Sequence, residues 1–145
     1  MAKPFIEVDT IISATPAKVW RAMTRKNSAM FPGTEVATDW EVGHPITFSG
    51  EWKGKSFRDK GEIQSLTAER ELSFTHWSML SGEEDRPENY HIVRYRLEPA
   101  DDRTKVTLSQ FNEGGKTVDV KTKLEFEKNW KSMLDGLKQA AEAMH

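Results

Sequence analysis

From Val118 to Ala143 the chain reads VDVKTKLEFEKNWKSMLDGLKQAAEA, and this stretch decides the fold. Leu124, Trp130, Met133, Leu134, Leu137, Ala140, Ala141 and, just beyond it, Met144 recur at helical spacing and form one apolar stripe. Glu125, Glu127, Lys128, Lys131, Lys138 and Glu142 cover the remaining surface. A helix of just over twenty residues already spans about 30 Å, far more than a cap on a small sheet requires. It must bury its stripe, and only the segments upstream offer a surface for that.

Those segments read mostly with a period of two. Candidate strands are Thr34–Trp40, Pro45–Glu51, Ser56–Ser65, Glu71–Trp77, Asn89–Glu98 and Lys105–Asn112. Turn residues punctuate them at Val42-Gly43-His44, Lys53-Gly54-Lys55, Pro99-Ala100-Asp101-Asp102 and Gly114-Gly115. Before them, Phe5–Ser13 alternates Ile6, Val8 and Ile12 with Glu7, Asp9 and Ser13, a half-buried strand. Thr15-Pro16 supplies a cap and a proline at the first helical position, so a short helix runs from Ala17 to Arg25. Ser28–Phe31 adds a further helical turn before Pro32-Gly33 stops it. The layout is therefore α+β: a strand, one or two short helices, an antiparallel meander bringing the sheet to six or seven strands, and a long C-terminal helix. A twisted sheet of that many strands curls, and one helix lying across it leaves an internal cavity between the two.

Composition narrows the function. The 145 residues suit a single domain, 1–145. Lys and Arg number 21 against 23 Asp and Glu, a net charge of -2, so there is no basic field for a nucleic-acid backbone. No cysteine is present, which removes disulfides, thiolate metal sites and cysteine nucleophiles and fits a reducing, cytoplasmic setting. Apolar runs are only a few residues long, too short for a membrane span or a signal peptide.

The order of elements, with Ala14-Thr15-Pro16-Ala17-Lys18-Val19-Trp20-Arg21-Ala22-Met23-Thr24, resembles the START-like, or SRPBCC, helix-grip superfamily, and within it the single-domain AHSA-type group, named for the activator of heat-shock-protein-90 ATPase. Trp40-Glu41-Val42-Gly43, Gly61-Glu62-Ile63, Glu71-Leu72-Ser73-Phe74-Thr75-His76-Trp77, Thr104-Lys105-Val106-Thr107-Leu108 and Trp130 through Leu137 carry the likeness along the rest of the chain. One departure is visible: His76 stands between Thr75 and Trp77, where the group has a Trp soon after the strand's Thr. The resemblance implies a curved sheet wrapped around the C-terminal helix and a domain enclosing a hydrophobic or amphipathic small molecule. Its members include lipid carriers, hormone receptors, polyketide cyclases and co-chaperone domains, so fold alone does not fix function.

Strand parity assigns faces. Ile63, Leu72, Phe74, Val93, Tyr95, Leu97, Val106 and Leu108 point inward, and by the same parity so do Asp59, His76, His91, Gln110 and Asn112. Symmetric hairpins would set Asp59 opposite His76, His76 opposite His91, and His91 opposite Asn112, with Ile63, Leu72, Tyr95 and Leu108 in an apolar row two rungs away. Three readings of the polar row compete: solvated rim groups, recognition of a ligand's polar head, or general acid–base chemistry by a His–Asp pair. A metal site at His76, His91 and Asp59 is not expected, because their spacing matches no ligand motif. His44, in a turn, and His145, at the chain end, are read as solvated. The acidic stretch Glu83-Glu84-Asp85 reads as a mobile loop.

The leading expectation is a cavity wall of Trp40, Phe48, Phe74, Tyr95, Trp130, Met133, Leu134 and Leu137, with Asp59, His76 and His91 meeting the polar head of a small hydrophobic or amphipathic guest, and with no cofactor. The resemblance adds two alternatives: a co-chaperone-like partner of a heat-shock-protein-90 ATPase, and an enzyme of the polyketide cyclase or dehydratase type.

Overall fold

The computed structural model describes residues 5–25, 28–31, 34–52, 54–78, 84–86, 89–112 and 120–144. Strand β1 (Ile6–Ile12) leads into helix α1 (Pro16–Thr24), followed by β2 (Glu35–Ala37), β3 (Pro45–Trp52), β4 (Lys55–Thr67), β5 (Glu71–His76), β6 (His91–Ala100), β7 (Arg103–Asn112) and the long helix α2 (Val120–Glu142). The strands form one antiparallel seven-stranded sheet in the order β1-β7-β6-β5-β4-β3-β2. Consecutive strands from β2 to β7 are neighbours, and β1 closes the order by pairing with β7.

Local chemistry explains the elements. Thr15 caps α1: its Oγ1 accepts the Lys18 backbone N–H at 3.3 Å, and Pro16 takes the first helical position. The β6–β7 hairpin turns at Asp101, whose φ of +60° lies in the left-handed region that Asp tolerates. Helix α2 runs parallel to β1 and is tied to it along its length. Lys123 Nζ lies 5.9 Å from the Phe5 ring, Lys131 Nζ donates to the Asp9 carbonyl, Lys138 Nζ donates to the Ile11 carbonyl at 2.8 Å, and the Glu142 carboxylate accepts the Ser13 N–H at 2.8 Å. The beginning of α2 therefore sits at the end of the sheet that holds Ile6, His76, His91 and Asn112. Leu134, Leu137 and Ala141 are fully buried in a core with Ile12, Val19, Met23, Met30, Leu72, Tyr95 and Leu108, joining both helices to the inner sheet face.

The structure corrects four expectations. The stripe of α2 does not include Leu124, which is 59% exposed: at about 100° per residue it lies more than about 100° around the helix from Trp130 and Leu137, whereas Phe126, in phase with Trp130, is half-buried. Ser28–Phe31 is a side-chain-stabilised turn instead of a helical one. The Ser28 hydroxyl donates to the Met23 carbonyl at 2.6 Å and accepts the Met30 N–H at 3.2 Å, competing with helical pairing. The strand expected over Thr34–Trp40 shortens to β2, since Trp40 takes a φ of +60° that no strand residue adopts. A bulge between Ile63 and Ser65 shifts the β4–β5 register. The expectations for Pro32-Gly33, Lys53, Glu83, Gly114-Gly115, Val118 and His145 lie outside the described residues, as does the side chain of Asn112.

Candidate functional site

The inner-face parity holds, and the polar groups gather at the end of the sheet where α2 begins. His76 is opposite His91, and His91 opposite Asn112, as symmetric hairpins require. Asp59 is not opposite His76. Ile63 pairs with Phe74, not with Leu72, and Lys60 bridges to Trp77. The register there is displaced by two residues, which leaves every side chain on its expected face. Asp59 and His76 consequently meet on a diagonal, His76 Nε2 lying 3.1 Å from Asp59 Oδ2, with the side chains only 17% and 13% exposed for His76 and Asp59. Between the paired positions, β4 presses so closely on β5 that a Cβ at Gly61 would sit 1.6 Å from the Thr75 carbonyl oxygen. That approach is open only to glycine.

An aromatic cluster lies directly inside this pair. Phe48 stands opposite Asp59 on β3 and meets the His76 ring edge-on, with centroids 5.4 Å apart. Phe48 and Phe74 lie 5.4 Å apart, and Phe31 packs against both at 4.8 and 6.2 Å and against Trp130 of α2 at 6.3 Å. Trp130 is fixed from the far side, its Nε1–H donating to Gln110 Oε1 at 2.7 Å. Phe31 thus fills space that the sequence reading left to a cavity. Nothing in the pattern of Ser28-Ala29-Met30-Phe31 alone points this ring inward.

Of the expected wall, Phe48, Phe74, Tyr95, Leu134 and Leu137 are buried, while Trp40, Trp130 and Met133 are partly buried against the same core. His91 is half-buried beside His76. Tyr95 stands apart chemically. Its whole side chain is enclosed, yet among the described residues its hydroxyl has no hydrogen-bond partner, and burial pushes its pKa well above the ordinary phenol value.

A second polar cluster, at the surface, was not anticipated as a unit. Asp39, Glu41 and His44 present ligand-type atoms within 4.8 Å of one another, and all three are exposed. His44 Nδ1 lies 2.5 Å from Asp39 Oδ2, and its Nε2 lies 3.3 Å from Glu41 Oε2. Both ring nitrogens thus face carboxylates across the turn. The Asp39 contact raises the His44 pKa above its usual value and lowers that of Asp39. The signal was present in the Asp-x-Glu-x-x-His spacing, which a sequence reading passes over as a solvated turn.

A seven-stranded antiparallel sheet packed against a long C-terminal helix, with one short helix after the first strand, is the α+β helix-grip architecture of START-like proteins. Residues 13–142 match the family described as activator of Hsp90 ATPase homolog 1-like protein, and the chain belongs to that family. A solution structure of a Cytophaga hutchinsonii protein is similar at 38% identity over 92% of this chain and 90% of that one, with a TM-score of 0.74. A Mesorhizobium loti protein is similar at 21% identity, 97% and 98% coverage and a TM-score of 0.74. The Aha1 dimer from Colwellia psychrerythraea matches at 20% identity, 95% and 96% coverage and a TM-score of 0.70. The last two share the fold. No curated protein matches the sequence. Among the described residues no helix is long and apolar enough to cross a membrane.

Proposed function

We propose that this chain binds a small amphipathic molecule at the end of the grip where α2 begins, its polar head on Asp59 and His76 and its apolar body against Phe48, Phe74 and Trp130. The observation that carries this reading is the hydrogen-bonded Asp59–His76 pair, mostly withdrawn from water and seated on an aromatic cluster. So dehydrated a pair contributes little stability over an apolar pair of the same size. What it adds is a donor and an acceptor at the edge of an apolar interior, the composition of a small-molecule site. Phe31 is the ring that gives way to the guest, because it is carried on a turn and not on a strand or helix. The test is a titration with 4-phenylphenol followed by amide and indole NMR shifts. Shifts should centre on Phe48, Asp59, Phe74, His76, His91 and the Trp130 indole, and His76→Ala should weaken binding about fivefold to tenfold. Shifts scattered over the outer surface, or unchanged affinity in His76→Ala, would sink the reading.

A second reading is favoured by the family match and by Val120 and Leu124, which expose 74% and 59% of their surface on the first turns of α2. On this reading α2 offers an apolar contact to a heat-shock-protein-90 chaperone. Stimulation of that chaperone's ATPase, abolished by Leu124→Glu, is the supporting result, and no stimulation at micromolar concentration counts against it.

A further inference from the structure

The Tyr95 hydroxyl marks a second polar point inside the grip. Tyr95 lies on the inner face of β6 in the row Leu72–Tyr95–Leu108–Val8, surrounded by the apolar core. Its hydroxyl is fully enclosed and, among the described residues, makes no hydrogen bond. A buried donor left without an acceptor is costly, and a phenylalanine of the same shape would avoid that cost. The polar head site lies on the same face of the same strand. His91, beside His76, is four residues before Tyr95, so about 13 Å of strand separates the two levels. Between them the face is apolar: Val93 on β6, Phe74 beside it on β5, and the Trp130 ring from α2.

We propose that the guest of this site is polar at both ends and apolar in the middle, with one end on Asp59 and His76 and the far end presenting a hydrogen-bond acceptor to the Tyr95 hydroxyl. The inference rests on the binding site proposed above and specifies its ligand class: an extended molecule with an apolar middle and an oxygen at each terminus. A fatty acid, whose far end is a methyl group, leaves the Tyr95 hydroxyl unpaired and forfeits that contact.

Two probes differing at one position test this. 4-Phenylphenol carries one hydroxyl; 4,4′-dihydroxybiphenyl carries one at each end. The native chain should bind the second about fivefold to tenfold more tightly, beyond the twofold statistical advantage of its symmetry. In Tyr95→Phe the ratio of the two affinities, measured in the same variant, should fall to the statistical factor. The variant's near-ultraviolet circular dichroism checks that its core is intact. If both probes bind the native chain equally well, or the preference survives in Tyr95→Phe, the inference is overturned while the binding site stands. Equal probe affinities together with a less stable Tyr95→Phe would assign the hydroxyl to a buried water and likewise overturn it. If neither probe binds, the site itself falls and the inference with it.

Discussion

Replacing Phe31 by alanine removes the ring that joins β3, β5 and α2. Phe31 is only 6% exposed, and its ring touches Phe48, Phe74 and Trp130 at once. Truncating a phenylalanine in a packed interior costs about 3–5 kcal/mol, from lost transfer energy and the cavity left behind. The edge-on contact with Phe48 adds about 1 kcal/mol to what area alone predicts. The backbone cannot readily close the gap, because Ala29 N–H donates to the Ala22 carbonyl at 2.9 Å and Ser28 holds Met23 and Met30. A loss of about 4 kcal/mol is therefore expected, within the stability of an ordinary domain, so the variant still folds. With a urea slope of about 2 kcal/mol per molar, the unfolding midpoint falls by about 2 M. The vacated space should also accept a guest. 4-Phenylphenol at a hundred times its dissociation constant would restore about 2.7 kcal/mol, most of the loss. A midpoint drop below about 0.5 M would refute the claim that Phe31 fills the centre of the cluster. A full drop that the probe does not reverse would refute its role as the yielding ring.

Gly61→Ala forces a Cβ to within 1.6 Å of the Thr75 carbonyl oxygen, so β4 and β5 must separate. A loss of about 3 kcal/mol read by thermal unfolding is expected, and native-like unfolding would show that the close approach is not maintained in solution. The His44 turn should be pH-dependent. Its hydrogen bond to Asp39 raises the His44 pKa above 6.5, so the stability it contributes is complete below 6.5 and is lost as pH climbs through the raised value. Asp39 is lowered from 3.8 by the same bond, so its contribution holds above 3.8 and fades as pH falls through the lowered value. Proton NMR of the His44 ring should give a titration midpoint above 6.5 that falls in Asp39→Asn, with Glu41 still beside the ring. A midpoint already ordinary in the native chain would contradict the contact.

How far the sequence spoke depended on which errors each signal survives. The Thr15-Pro16 start of α1 and the Leu134–Leu137–Ala141 stripe of α2 are local patterns, and both elements formed where those patterns placed them. The β6–β7 register was legible because a tight turn at Asp101 and Asp102 leaves no room to slip. The β4–β5 register was not, since the bulge between Ile63 and Ser65 carries no residue type that marks it. Trp40 misled in the same way, since a left-handed φ of +60° is not one that its residue type announces.

The candidate site shows why faces are more robust than distances. A two-residue slip moves Asp59 off the position opposite His76 yet preserves parity, so the two still meet. A one-residue slip at Gly61 would have turned Asp59 outward and left His76 facing the Phe48 ring alone. The close approach at Gly61, fixed by the absence of a single Cβ, therefore does more than join two strands. By holding β4 against β5 below the bulge it keeps the acidic and imidazole groups on one side of the sheet. Gly61→Ala should accordingly disturb the His76 environment before the fold is lost, a coupling that neither residue's type announces.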